Sequence, residues 1–312
     1  MDGIVASGRR VLARIGCLAS NGWVCAAVLV VTAGVSLWSI ARVPDASLVP
    51  VLLGLVPFAV GKYLLCPLRW HALSVSGQSR WWHVRAYAES ELLGLLSPVH
   101  AAGDLWRVHK LHGAGLHRPA AFTEVALDRI VGMAGIALGI VLTGIALPLE
   151  LVAAFAGVAA VVLAALLLLR WRRPGLITRQ QLPRPRVLVA GLTLTLGYQA
   201  SIAGLVLGSV TAVGHPVDLL GLLAVFGASQ LASVLPGVDG ANPRSGALAV
   251  GLASLGVSWT AALGVVALVA LLPWAPALVL GGGSFAAQRA ARIWRSRDRS
   301  LLMTPVTPSQ RA

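Results

Sequence analysis

Charge is what this sequence has least of. Lys, Arg, Asp and Glu make up 12% of its 312 residues, against 57% hydrophobic, whereas soluble globular domains run nearer a quarter charged and half apolar. That balance excludes a water-soluble domain and marks a polytopic membrane protein. Acidic residues are scarcest, 11 against 25 Lys and Arg, for a net charge of +14. In a soluble protein such an excess would suggest nucleic acid. In a membrane protein basic residues gather in cytoplasmic loops, so no nucleic-acid partner is expected. The three cysteines, Cys17, Cys25 and Cys66, are odd in number and set no disulfide framework.

Several chemistries are missing as well. There is no Asp-rich diphosphate–Mg motif, no phosphate-binding glycine loop and no Gly-x-Ser-x-Gly nucleophile turn. His100, His109, His112 and His117 follow one another at spacings of nine, three and five, which match no common zinc pattern. No metal, no cofactor and no catalytic residue is expected.

What is present is a series of apolar runs, each transmembrane helix needing about 20 residues. Runs at 23–41, 47–66, 187–212 and 219–238 each suit one span. Two more fit between Arg129 and Arg170, turning at Pro148-Leu149-Glu150, and two between 245 and 288. The expected fold is an all-α polytopic membrane protein of about eight transmembrane helices plus broken or re-entrant segments. Arg9 and Arg10 resemble a twin-arginine export signal, but the run that follows reads as a first transmembrane helix. Residues 1–286 form a single integral membrane domain, and 287–312 a basic cytoplasmic tail, with "GGGS" (281–284) as the hinge between them.

Basic residues fix the orientation. If 86–102 enters and returns on one side, the basic loops stay cytoplasmic. If it crosses, Arg107, Lys110, Arg118 and the 170–186 cluster move outside. The bias favours re-entry, with both termini cytoplasmic in the plasma membrane. The polar stretch 69–89, with Trp and Arg interleaved, is either an amphipathic interfacial segment or a plain loop.

Two apolar stretches are interrupted in a similar way. "ELLGLLSPVHAAGDLWRVHK" (91–110) breaks at Pro98 and Gly103, and "ASQLASVLPGVDGANPRSGALAV" (228–250) at Pro236, Gly237 and Gly240. Unpaired backbone in lipid is tolerated only where protein or a wet cavity receives it. Paired breaks in the two halves therefore suggest an inverted pseudo-repeat with a site at its interface. The polar residues near the breaks are Glu89, Glu91, Asp104, Arg107, Glu124, Asp128, Arg129, Asp239 and Arg244. On a helix Glu124 and Asp128 share a face, where a cation such as Arg107 or Arg129 would relieve their repulsion. Guanidinium groups in such a cavity suit a lipid phosphate, whose oxygens match their fork.

The sequence also resembles a known family. The segments are "RW" (69–70), "LLSPVHAAGDLWRVHKLHGAG" (95–115), "AAFTEVALDRIVGMAGIALG" (120–139) and "VLPGVDGANPRSGALAVGLASLGVSWTAALGVVAL" (234–268). Together they are similar to the integral-membrane domain of lysylphosphatidylglycerol synthases, the flippase-like family, without the aminoacyl-transferase domain. The resemblance implicates Pro98, Gly103, Asp104, Arg107, Asp128, Arg129, Pro236, Gly237 and Gly240. Two departures stand out. Ser245 falls where the family has an acid, and the family's Glu-Arg pair is Asp128-Arg129 here.

The expected function is binding or translocation of an anionic lipid or lipid-linked intermediate. Arg107 and Arg129 would hold the headgroup, and Asp104 and Asp128 would orient them, with Glu89, Glu124, Arg69 and Arg244 nearby. Charge reversal of Arg107 to Glu is expected to abolish lipid handling with expression intact. Two alternatives stay open. One is a membrane-embedded enzyme acting on a prenyl or lipid substrate, with Glu89, Asp104 or Asp128 as general acid. The other is an accessory subunit of a lipid-modifying partner enzyme.

Overall fold

The structure is a computed structural model that describes residues 47–96, 101–143, 183–215, 217–232 and 243–302, together with Gly157. The regular elements among these residues are all helices, with no strand. The first helix, α1, joins Leu48–Val60, a π-helical turn at Gly61–Leu65 and Cys66–Leu73. Pro57 lies inside its apolar first part. A proline has no N–H to give to the helix, and the register slips into the wider π turn just beyond it. After α1 come α2 (Arg80–Leu96), α3 (Ala101–Gly113), α4 (Arg118–Thr143), α5 (Pro185–Ala212), α6 (Leu219–Ala232) and α7 (Pro243–Ser254). The last, α8, runs from Trp259–Leu271 through Trp274–Pro276 and a second π-helical stretch, Ala277–Gly282, into Gly283–Leu302.

Among the described residues four helices are long and apolar enough to cross a membrane: Val49–Leu73, Arg118–Leu142, Pro185–Ala212 and Trp259–Ala291. The run expected to span at 23–41 and, Gly157 apart, the second of the two expected between Arg129 and Arg170 lie outside the described residues. In 219–288 the described residues hold α6, 14 residues as far as Ala232, and α7, 12 residues from Pro243, about 21 and 18 Å of helix against a hydrocarbon core of about 30 Å. The stretch 245–288 thus holds a short helix and one crossing in place of two, because a turn at Gly256 divides it. That turn is apolar on both sides, and a search for charge-free runs passes over it.

Other boundaries move too. Residues 69–73 of the expected interfacial stretch are the last turn of α1, and 80–89 belong to α2. "GGGS" makes no break: the helix passes through Gly283 and continues to Leu302, so the first part of the expected tail extends α8. Gly103 lies inside α3. A Cβ there would come within 2.6 Å of the Ser90 carbonyl oxygen on α2, so this glycine seats α3 against α2. Pro98, Pro236, Gly237, Gly240 and Asp239 fall outside the described residues.

The order long helix, pair of short packed helices, long helix occurs twice: α1, α2/α3, α4 and then α5, α6/α7, α8. The turns closing the short pairs match bond for bond. Leu116 N–H donates to Leu111 O and Gly115 N–H to His112 O; Val257 N–H donates to Leu252 O and Gly256 N–H to Ala253 O. Gly115 (φ +103°) and Gly256 (φ +87°) supply the left-handed residue that such a helix terminus requires. Each bond recurs 141 residues later (256 − 115). The two units run in opposite directions, since α1 lies antiparallel to α5: Ser47 N–H donates to Ala212 O, and Arg69, near the other end, reaches Thr195. Between them the backbones touch, and a Cβ on Gly54 would sit 2.9 Å from the Gly204 carbonyl oxygen.

Apolar packing forms more than one cluster. One cluster joins α1, α5, α6, α7 and α8 around Leu205, Val206, Leu252 and Val265. A second, with Cys66, Trp70, Tyr87, Leu111, Ala121 and Val125, underlies the charges described next.

Candidate functional site

At the centre of the first unit is Asp128, fully buried on α4. Arg69 of α1 donates to its Oδ1 from Nε (2.8 Å) and to its Oδ2 from Nη2 (3.2 Å). Arg107 of α3 donates to Oδ2 from Nη2 (2.7 Å). The remaining Arg69 nitrogen, Nη1, donates to Thr195 Oγ1 at 3.1 Å, bringing α5 into the network. Space for this guanidinium exists because residue 132 is glycine; a Cβ there would press on Nη1 at 3.0 Å. The Arg107 guanidinium stacks over the Trp70 ring, 4.2 Å from its centroid, with Tyr87 at 5.4 Å. A buried charge persists only when paired and hydrogen-bonded, and one acid shared between two guanidinium groups meets that condition for all three.

Glu124, one turn before Asp128, is held differently. Its carboxylate accepts from Trp70 Nε1 (2.9 Å) and from the Val75 backbone N–H (3.2 Å). It lies beside a small recess lined by Leu73, Val75, Ala120, Thr123 and Leu127. The cation expected between Glu124 and Asp128 is, at Asp128, a pair of arginines.

Arg129 points the other way. It grips Asp104 through Nε (3.1 and 3.0 Å) and Nη2 (2.8 Å), and Asp104 also lies 3.6 Å from Arg107 Nη1. The charges form a chain, Arg69–Asp128–Arg107–Asp104–Arg129, buried at one end and open at the other. The Arg107 and Asp128 side chains are 2% and 0% exposed, those of Arg129 and Asp104 54% and 30%.

Glu89, fully buried, accepts from Trp106 Nε1 (3.1 Å) and Ser284 Oγ (2.6 Å), from Gln288 Nε2, and from Lys110 Nζ (3.0 Å). It ties the α2/α3 pair to α8. Arg244, at the start of α7, is partly buried; loss of hydration lowers its pKa, partly offset by Tyr198. Lys62 lies inside a run that the sequence reads as a span. It sits on the π turn of α1, where it pairs with Glu91 Oε2 at 2.8 Å and lies 5.5 Å from the Tyr198 ring centroid. Lys62, Cys66, Arg69 and Leu73 recur at helical spacing, the signal by which this polar face could have been found.

Among the described residues the second unit carries no such chain. Positions 141 residues beyond Arg107 and Glu124 are Leu248 and Val265, both buried. Among the described residues no cluster of His, Cys, Asp and Glu could hold a metal ion.

His83 sits behind the chain with rings of Trp70, Trp82 and His71 around it at centroid distances of 4.8, 5.0 and 4.9 Å. Its Nδ1 bonds to the Ser79 carbonyl oxygen at 2.9 Å, while Nε2 has no hydrogen-bond partner. Burial holds it neutral, with its pKa pushed down to about 4. A histidine depressed below its unfolded value of about 6.5 stabilises the fold above that pH, and the contribution is lost as pH falls toward 4. The melting temperature in detergent should therefore drop between pH 6.5 and 4, and His83→Phe should flatten that part of the profile. An unchanged profile would show that another group sets it.

In comparisons with known proteins, no family model matches the chain and no curated protein matches it.

Proposed function

We propose that the protein binds and moves an anionic lipid, or a lipid-linked intermediate, across or within a plasma membrane, as its resemblance to the flippase-like family suggests. One observation carries the reading. Arg129 lies 11 residues along α4, about 16 Å from its start and within the stretch Arg118–Leu142 that is long and apolar enough to cross a membrane, yet its side chain is 54% exposed. A cation facing lipid tails at that depth costs about 2.5–3.5 kcal/mol. An anionic headgroup, or the wet cavity that admits one, removes that cost.

The surroundings agree. Arg80, Arg85, Arg118, Arg184, Arg186 and Arg289 belong to the side where α1 ends and α4 begins, whereas 213–218 and 255–258 on the opposite side contribute only Asp218. The positive-inside rule makes the basic side cytoplasmic. The α2/α3 pair then enters from the cytoplasm and α6/α7 from outside, an inverted repeat of the kind that brackets a transporter's site. The general-acid alternative gains nothing from the geometry. Glu89, Asp104 and Asp128 are each already held by a Lys or Arg.

Within the chain Arg129 is the headgroup contact and Asp104 its partner when empty. Arg107 holds Asp104 in place from beneath. Native mass spectrometry of the detergent-purified protein tests this: Arg129→Ala should lose a co-purifying anionic lipid that the wild type retains. Equal retention by both proteins would remove Arg129 from the site.

A further inference from the structure

A second exposed pair lies at the same depth. Lys62 is 14 residues into α1 and Glu91 11 residues into α2, so each is about 16–21 Å from its helix start. Their side chains are 22% and 18% exposed, reachable where Arg107 and Asp128 are not. The bond is one Nζ–Oε2 contact of 2.8 Å, without the fork that locks Arg129 to Asp104. A lysine is a point charge on a flexible stem and can change partners at small geometric cost. It is displayed on a π-helical turn, a distortion frequent at functional sites.

We propose that Lys62 is a second contact for the anionic headgroup and that Glu91 takes up one proton when the headgroup displaces it, so that lipid binding is coupled to proton uptake. The inference rests on the anionic-lipid reading above. In the exchange a phosphate oxygen replaces Glu91 Oε2 at Lys62 Nζ. The freed carboxylate, no longer paired, accepts a proton from water and becomes the neutral acid. One negative charge and one proton enter together, leaving the net charge at this depth unchanged, and no covalent bond of the lipid is altered. If Glu91 stayed ionised, lipid and carboxylate would be two anions competing for one ammonium.

The groups facing the pair favour this division. Tyr87 on α2 itself, which also hydrogen-bonds to Glu91, Tyr63 and Cys66 on α1 and Tyr198 on α5 surround it. These are phenols and a thiol, able to line a neutral acid but not to replace the ammonium. A further charge acting on Glu91 is Arg129 of α4, which is engaged by Asp104, and Arg244 of α7 acts on the neighbouring Tyr198.

Binding of a short-chain phosphatidylglycerol to the full-length protein in detergent, measured by calorimetry between about pH 5 and pH 8, tests the coupling. The phosphodiester stays ionised throughout. One linked proton makes the affinity rise by up to about tenfold per unit fall in pH. Glu91→Gln, which resembles the protonated acid, should bind at the low-pH affinity at every pH. Lys62→Met should weaken binding about tenfold or more and lose the slope. Wild-type binding that does not vary with pH, or a slope that persists in Glu91→Gln, overturns the coupling and leaves the lipid site standing. No binding by the wild type at any pH, with no anionic lipid co-purifying, overturns both.

Discussion

Asp128→Ala is expected to destabilise the protein by about 3–5 kcal/mol, the range measured when one partner of a buried ion pair is removed. The carboxylate serves Arg69 at 2.8 Å and Arg107 at 2.7 Å, so its loss leaves two cations facing each other with no anion. Asp128→Asn keeps the shape and one acceptor oxygen but not the charge, and should fall between. Thermal unfolding of detergent-purified protein, followed by loss of the monodisperse peak, measures the effect. A triple replacement, Arg69→Met, Arg107→Met and Asp128→Leu, should melt nearer the wild type than Asp128→Ala does, since an apolar set leaves no charge unpaired. An Asp128→Ala protein that melts with the wild type would show the network to be open to water.

Arg107→Glu should be nearly as damaging. From sequence alone this change looked like a clean test of lipid handling with expression preserved. With the side chain 2% exposed between Asp128 and Asp104, the substitution instead places a third acid against two others in the interior. We expect the protein to accumulate poorly or aggregate on extraction, as read by size exclusion of membrane extracts. Normal yield with lost lipid would return Arg107 to the headgroup site. Arg129→Glu, at the exposed end of the chain, is the variant expected to keep its yield while losing lipid.

The helices were legible where an apolar run began and ended at charge or proline, as at 187–212, which the structure gives as Pro185–Ala212. They were not legible where a turn was apolar on both flanks, as at Gly256. The polar residues stand out because charge is rare in this chain, but which acid meets which arginine does not. Arg69 reads both as a candidate for the site and as part of the interfacial stretch, because it follows the expected end of a span. In the structure the helix carries on to Leu73, which turns Arg69 inward toward Asp128. Lys62 escaped notice because an apolar run containing one lysine still scores as a span. Its partner, Glu91, lies 29 positions away on a helix that folds back, and no local pattern announces such a meeting.

The close approach of α1 to α5 at Gly54 has a mechanical consequence. Backbone meets backbone there, with no side chain between them to swing aside, and this seam lies nearer the end opposite the charges. It works like the rivet of a pair of tongs. Farther along, α1 and α5 meet through side chains, Leu65 over Gly197 and Arg69 to Thr195, which can slide or let go. At 1.5 Å per residue Lys62 lies about 12 Å and Arg69 about 22 Å from the rivet. A given angular opening of one jaw against the other would therefore part the helices nearly twice as far at Arg69 as at Lys62.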